Sequence, residues 1–186
     1  MAHLTNTPYL NSSNIIPLLN DFAISLKNIH RFSNVIVDVL IVGGSALALK
    51  HELRGTVDID ADVRFSYNIS DSINIVAKYH NIPRDWLNQD FTKSDSYSIR
   101  LWQNAILYTT LQGYMRIFVV SDLDQLCMKI NSGRKKDMGD IEAICDRLLC
   151  TYKDVEDRYR FLYGDLSTGK QKLFRFVKNS LKRKLG

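Results

Sequence analysis

An α/β (α+β) fold is expected for this chain, with a mixed, partly antiparallel sheet of about five strands flanked by helices and followed by a helical C-terminal part. Three observations predict it. The run VIVDVLIVGG is β-branched and ends in paired glycines, and the SALALKHEL that follows is rich in helix formers, which together read as strand, tight turn and helix. The run TVDIDADVRF sets Val57, Ile59, Ala61, Val63 and Phe65 against Asp58, Asp60, Asp62 and Arg64, a period-two alternation with one apolar and one charged face. Beyond Leu123 the apolar residues recur only at helical spacing.

Before the first strand, Ile15, Leu18, Leu19, Phe22, Ile24, Leu26 and Ile29 trace a helix running to about His30, with Pro17 in its first turn. From Ser70 to about Asn88 the pattern is again helical, broken at Pro83. Tyr97 to Ser121 contains three β-rich pieces, YSIRLW, AILYTTL and YMRIFVV, separated by short polar or glycine turns, so an antiparallel meander is expected to extend the sheet. LDQLCMKI, DMGDIEAICDRLLC, the segment around KDVEDRYRFLY and a basic tail then read as helices. No internal repeat, low-complexity tract or linker divides residues 1–186, so a single domain is expected, with a core over about 15–150 and a helical basic extension over 151–186.

The composition, 45% apolar and 24% charged over 186 residues, excludes a disordered, fibrous or membrane-spanning chain. No apolar run approaches the roughly 20 residues of a transmembrane helix, and MAHLTNTPYLNSSN lacks the pattern of a secretory signal, so a cytoplasmic protein with no membrane partner is expected. Cys127, Cys145 and Cys150 form no C-x-x-C pair and read as free, buried thiols rather than a disulfide framework or zinc site. The net charge of +5 is a C-terminal property. Ser167 to Gly186 holds seven basic residues (Lys170, Lys172, Arg175, Lys178, Lys182, Arg183, Lys184) and no acidic one, leaving 25 − 7 = 18 basic against 20 acidic residues elsewhere. Leu173, Phe176, Val177 and Leu181 give the tail an apolar stripe, so it is expected to dock as an amphipathic helix. Its outer cations then form either a solvated face or an RNA-contacting patch.

The stretch VGGSALALKHELRGTVDIDADVRF carries the chemistry. Two residues apart on a strand, Asp58 and Asp60 would project from one face with Cα atoms roughly 6.5–7 Å apart, a spacing from which two carboxylates can converge on a hard cation such as Mg²⁺. The alternative is a solvated strand face of three aspartates. Gly43 and Gly44 follow the first strand and precede Ser45, which can cap the next helix, so backbone N–H groups and a positive helix end could meet a triphosphate. Paired glycines can equally close a tight turn. The segment is neither a Walker A loop nor a dinucleotide-binding fingerprint.

The run from Gly43-Gly44-Ser45 to Arg54-Gly-Thr56-Val-Asp58-Ile-Asp60 resembles the nucleotidyltransferase superfold, the DNA polymerase β-like group, in which a G-S turn opening a helix precedes D-x-D on the next strand. More narrowly it resembles the AbiEii-type toxin nucleotidyltransferases of bacterial abortive infection and their small relatives. Ile82 to Asn88 (IPRDWLN) and Leu123 to Ile144, with its K-x-x-x-x-R-x-x-D-x-x-D pattern, are similar to segments of those relatives. The resemblance covers about Ile36 to Cys150. It implies that Gly43, Gly44, Ser45, Arg54 and Thr56 bind the nucleotide, that Asp58 and Asp60 hold Mg²⁺ or Mn²⁺, that Lys129 meets a phosphate, and that Asp137 is a further acidic residue. In the superfold a third carboxylate on a later strand is the base; the matching YMRIFVV supplies none, leaving Asp137, Asp140 and Asp62 as candidates. Without the resemblance, Asp137 and Asp140 are acidic residues favoured in a helix's first turn, and Arg54 is an aspartate's structural clamp.

The activity so implied is Mg-dependent transfer of a nucleoside monophosphate from an NTP to a hydroxyl on tRNA or protein, by a toxin-like component with a cognate antitoxin. Two alternatives stand beside it: transfer to a small molecule such as an antibiotic, and a catalytically degenerate module that binds a nucleotide or partner.

Overall fold

The computed structural model describes residues 9–52 and 55–185, the last three by backbone alone. The described chain packs as two compact units. The first takes the chain up to Phe91 together with Ile106–Val119; the second takes Thr92–Ala105 and the chain from Val120 onward.

The first unit is built on a sheet. Helix α1 (Ser12–His30) starts three residues earlier than the apolar pattern suggested, because Asn11 and Asn14 form a reciprocal capping box. Pro17 therefore falls in the second turn rather than the first. The strands are β1 (Val37–Ile41), β2 (Ile59–Arg64), β3 (Leu87–Asn88), β4 (Ile106–Leu111) and β5 (Met115–Val119), in spatial order β3-β2-β1-β5-β4. β1 is antiparallel to β2 and parallel to β5, β2 is parallel to β3, and β4 and β5 form an antiparallel hairpin. The sheet is thus mixed and five-stranded, as expected. Val37, Val39, Leu40 and Ile41 are all buried, which explains why this central strand reads as a continuous apolar run rather than an alternating one. Helix α2 (Gly43–His51) follows β1 and packs on β2, and helix α3 (Ser70–His80) packs along α1.

Two expectations fail here. The helical pattern from Ser70 does not reach Asn88: α3 ends at Asn81, in left-handed conformation, and the next residues lead through Pro83 into the short strand β3. Trp86 lies in the core there, its indole N–H donating to the Ile73 carbonyl at 3.1 Å. The YSIRLW segment is not a strand, since Ile99–Asn104 is a 3-10 helix opened by Ser98, whose hydroxyl accepts from Arg100 N–H. Its β-branched and aromatic content predicted a strand, but a local serine cap satisfies the backbone first.

The second unit is helical: α4 (Asp122–Ser132), α5 (Met138–Cys145), α6 (Tyr152–Tyr163) and α7 (Gln171–Leu185). Ser121 caps α4, and Thr151 with Asp154 makes a capping box for α6. The basic tail docks as anticipated, with one change in its stripe: Phe174, Val177, Ser180 and Leu181 are buried, whereas Leu173 and Phe176 are half-buried. Cys127 and Cys145 are free and buried, and Cys150 is free and partly exposed. No helix among the described residues is long and apolar enough to cross a membrane.

Candidate nucleotide site

In the sheet unit, the end of β1 and the start of β2 meet at the first turn of α2. Val42 N–H donates to the Asp60 carbonyl at 3.0 Å, which places Asp60 beside the glycine turn. Gly43 has φ +66°, in the left-handed region, and a Cβ built on it would lie 2.9 Å from Asp60 Oδ2. Glycine is required there both for the backbone angle and for the carboxylate that sits over it. A Cβ on Gly44 would approach Thr56 Oγ1 to 3.2 Å. The two glycines thus bring the backbone of a helix N-terminus against Asp60 and Thr56, where its N–H groups favour negative charge.

Ser45 does not cap α2. The N-cap position belongs to Val42, which has no capping side chain, and Ser45 sits buried in the first turn with its hydroxyl donating to the Val42 carbonyl at 2.9 Å. Its structural part is to tie the turn closed.

Asp58 also departs from the expected placement. It lies in a bend just before β2, and Val57, assigned to the buried face by the alternation, is 50% exposed. The alternation holds only from Ile59, where Ile59, Ala61 and Val63 are buried and Asp60 and Asp62 half-buried. Asp58 is held instead by its neighbours. Thr56 Oγ1 donates to the Asp58 carbonyl at 3.1 Å with Asp58 Oδ1 at 3.4 Å, and Asn88 Nδ2 donates to Asp58 Oδ2 at 3.3 Å. Thr56 in turn is pinned by a two-way backbone bridge to Leu10, with N···O distances of 2.6 and 2.8 Å. Gly55 allows that bridge, because a Cβ there would meet Tyr9 at 3.0 Å and the Leu10 carbonyl at 3.2 Å.

Asn88 was not singled out by residue type or spacing, and it reaches Asp58 only because β3 pairs with β2 in the register Asp60↔Asn88. Arg54, expected at the nucleotide, lies outside the described residues.

The donor set of this turn suits a hard cation in part. Asp58 and Asp60 are oxygen ligands of the kind Mg²⁺ takes, but no group of three or more His, Cys, Asp and Glu converges as a metal site among the described residues. A cation held here would draw its remaining ligands from substrate phosphate and water, the usual arrangement for Mg²⁺.

Lys129 and Asp137 belong to the helical unit and are brought together there. Lys129, 4% exposed near the end of α4, donates from Nζ to Asp140 Oδ2 at 2.6 Å and to Asp137 Oδ1 at 3.2 Å. Asp137, 1% exposed at the start of α5, also accepts from Ser132 Oγ and from Arg134 Nε, each at 2.8 Å. Burial by itself would raise the Asp137 carboxyl's pKa. The Arg134 hydrogen bond, the Lys129 charge and the Ser132 hydroxyl outweigh it and hold the group below its ordinary value.

A mixed sheet whose central strand runs through a glycine turn into a helix, with acidic residues beside that turn on the next strand, defines a protein of the nucleotidyltransferase-fold class. Residues 20–160 match the model of the family described as nucleotidyltransferase of unknown function (DUF6036), and the chain belongs to that family. No curated protein and no solved structure matches it.

Proposed function

We propose that this protein is an Mg²⁺-dependent nucleotidyltransferase that moves a nucleoside monophosphate from an NTP to a hydroxyl on tRNA or protein and releases pyrophosphate. The observation that carries the reading is the placement of Asp60 Oδ2 directly over Gly43 at the N-terminus of α2, with Thr56 Oγ1 between Gly44 and Asp58. In this reading the N–H groups at the start of α2 receive the triphosphate, and the two glycines let it approach the backbone. Asp58 and Asp60 hold Mg²⁺, which when bound lowers the negative charge that an attacking hydroxyl meets at the phosphate. Thr56 and Asn88 fix the Asp58 carboxylate so that it need not reorganise when substrate arrives, and Asp60 is fixed by its own strand and the turn beneath it. The family resemblance alone gives Lys129 a role toward a phosphate and Asp137 that of a further acidic residue. Family membership supports nucleotidyl transfer in general. The toxin-like role under a cognate antitoxin rests on the resemblance to AbiEii-type enzymes.

The test is incubation of the full chain with Mg²⁺, each α-³²P-labelled NTP and total bacterial RNA or lysate, beside the Asp58→Asn, Asp60→Asn double variant. Label on an RNA or protein band that the double variant lacks is the expected result. Labelling that persists in the double variant overturns the assignment of the aspartates.

A second reading is favoured by the exposure of Lys129. A lysine that is 4% exposed and engaged by two carboxylates can serve as the charge-balanced frame of the helical unit instead of touching substrate. Lys129→Met would then lower stability without a separate effect on NTP affinity in the folded fraction.

A further inference from the structure

Helix α7 lies wholly beyond the residues matched by the family model and separates its side chains by charge. At 100° per residue, the buried Phe174, Val177, Ser180 and Leu181 occupy one side of the helix. Lys172, Arg175, Lys178 and Lys182, all exposed, fall within an arc of about 120° on the other side, along about 15 Å of axis. The buried side packs on α5 and α6. At one end of the cationic side is a cavity of about 200 Å³, lined by Tyr152, Leu166, Gln171, Phe174, Arg175 and Lys178. Its two rings meet edge to face at 6.1 Å, and Lys178 Nζ lies 5.1 Å from the Tyr152 ring centre. Among the described residues no carboxylate lines it. Glu156, one turn along α6 from Tyr152, is engaged by Arg160 at 2.9 Å.

We infer that the outer face of α7 and this cavity form a binding surface for single-stranded RNA, the cations tracking its phosphates and the Tyr152 cavity taking one unstacked base. Two features on one face point to that ligand. A row of exposed cations suits a polyanion, and an aromatic cavity with an amide and two cations at its edge suits a nucleobase beside its phosphate. An anionic membrane is the poorer fit, because an interfacial helix must offer its apolar side to lipid and α7 has buried that side within the protein. As an account of the acceptor the inference rests on the nucleotidyl-transfer reading; as an account of binding it does not.

The experiment is fluorescence anisotropy of a labelled single-stranded RNA of mixed sequence, titrated with the full chain over a salt series and without NTP. The variants are Lys172→Gln, Arg175→Gln, Lys178→Gln, Lys182→Gln combined, and Tyr152→Leu alone, each checked for an unchanged circular dichroism melt. The combined variant is expected to lose at least tenfold in affinity and to flatten the slope of log Kd against log salt by about 3, near 0.7 per cation removed. Tyr152→Leu is expected to weaken binding about fivefold or more with the slope unchanged, as loss of a stacking contact does. Unaltered affinity and slope in the combined variant overturn the inference. So does binding of polyglutamate or of phosphatidylserine vesicles as tight as that of RNA, or equal binding of duplex RNA. RNA binding through α7 by a protein that labels no acceptor would leave this surface standing and remove the nucleotidyl-transfer reading.

Discussion

Asp60 Oδ2 and the α-carbon of Gly43 face each other so closely that a methyl group on Gly43 would lie 2.9 Å from the carboxylate oxygen. Gly43→Ala therefore does two things. The left-handed backbone angle costs about 1–2 kcal/mol for a residue with a Cβ, and the carboxylate must swing away from the start of α2. The expected outcome is a lower unfolding midpoint in urea together with loss of NTP turnover in the fraction still folded. Full turnover at reduced stability would show that the position of Asp60 over the turn is not needed for chemistry.

Asp58 and Asp60 are half-buried rather than core residues, so replacing either carboxylate by the isosteric amide leaves packing intact. Asp58→Asn, which puts a donor where an acceptor meets Thr56 or Asn88, is expected to cost about 1 kcal/mol of stability while removing Mg-dependent turnover. Asn88→Ala, which frees Asp58 Oδ2 from its 3.3 Å partner, is expected to lower turnover without abolishing it. Single-turnover kinetics with thermal melts would separate these outcomes.

Removing Lys129 leaves Asp137 and Asp140 facing each other with their shared cation gone. Breaking a buried pair in this way costs about 3–5 kcal/mol, so Lys129→Met should unfold at markedly lower denaturant. Adding Asp140→Asn should restore part of the loss by removing one of the two like charges that Lys129 had separated.

Asp137 sets a pH dependence. Its pKa in the folded chain is held below the ordinary 3.8, so its contribution to stability is present above that value and is lost as pH falls through the lower folded value. Denaturant unfolding at successive pH values should show stability falling below about pH 4. Asp137→Asn should be less stable at neutral pH and should show a shallower decline over that acid range.

What could be read from the chain before folding was governed by range. The alternation of Ile59, Ala61 and Val63 with Asp60 and Asp62 is a property of one strand and was legible. Asp58 and Val57 continued that alternation in print but not in space, because the chain bends at these two residues, between the Leu10–Thr56 bridge and the start of the strand. The glycine turn was legible as a turn. That Gly43 sits under Asp60 was not, since it depends on the pairing of β1 with β2. Asn88 lay further out of reach, brought to Asp58 by a two-residue strand 30 positions along the chain. Lys129 and Asp137 were named through the family resemblance, and nothing local showed that Ser132, Arg134 and Asp140 close around them.

The rings of Phe174 and Tyr159 meet at right angles with centres 5.0 Å apart, one from α7 and the other from α6. A recombinant fragment trimmed at residue 160, where the family match stops, would strip the cover from Tyr159 and discard Val177 and Leu181 with it. Such a fragment would expose a sticky apolar patch and should precipitate or recruit chaperones on expression. A segment outside the family match is thus one that an experimenter can ill afford to cut.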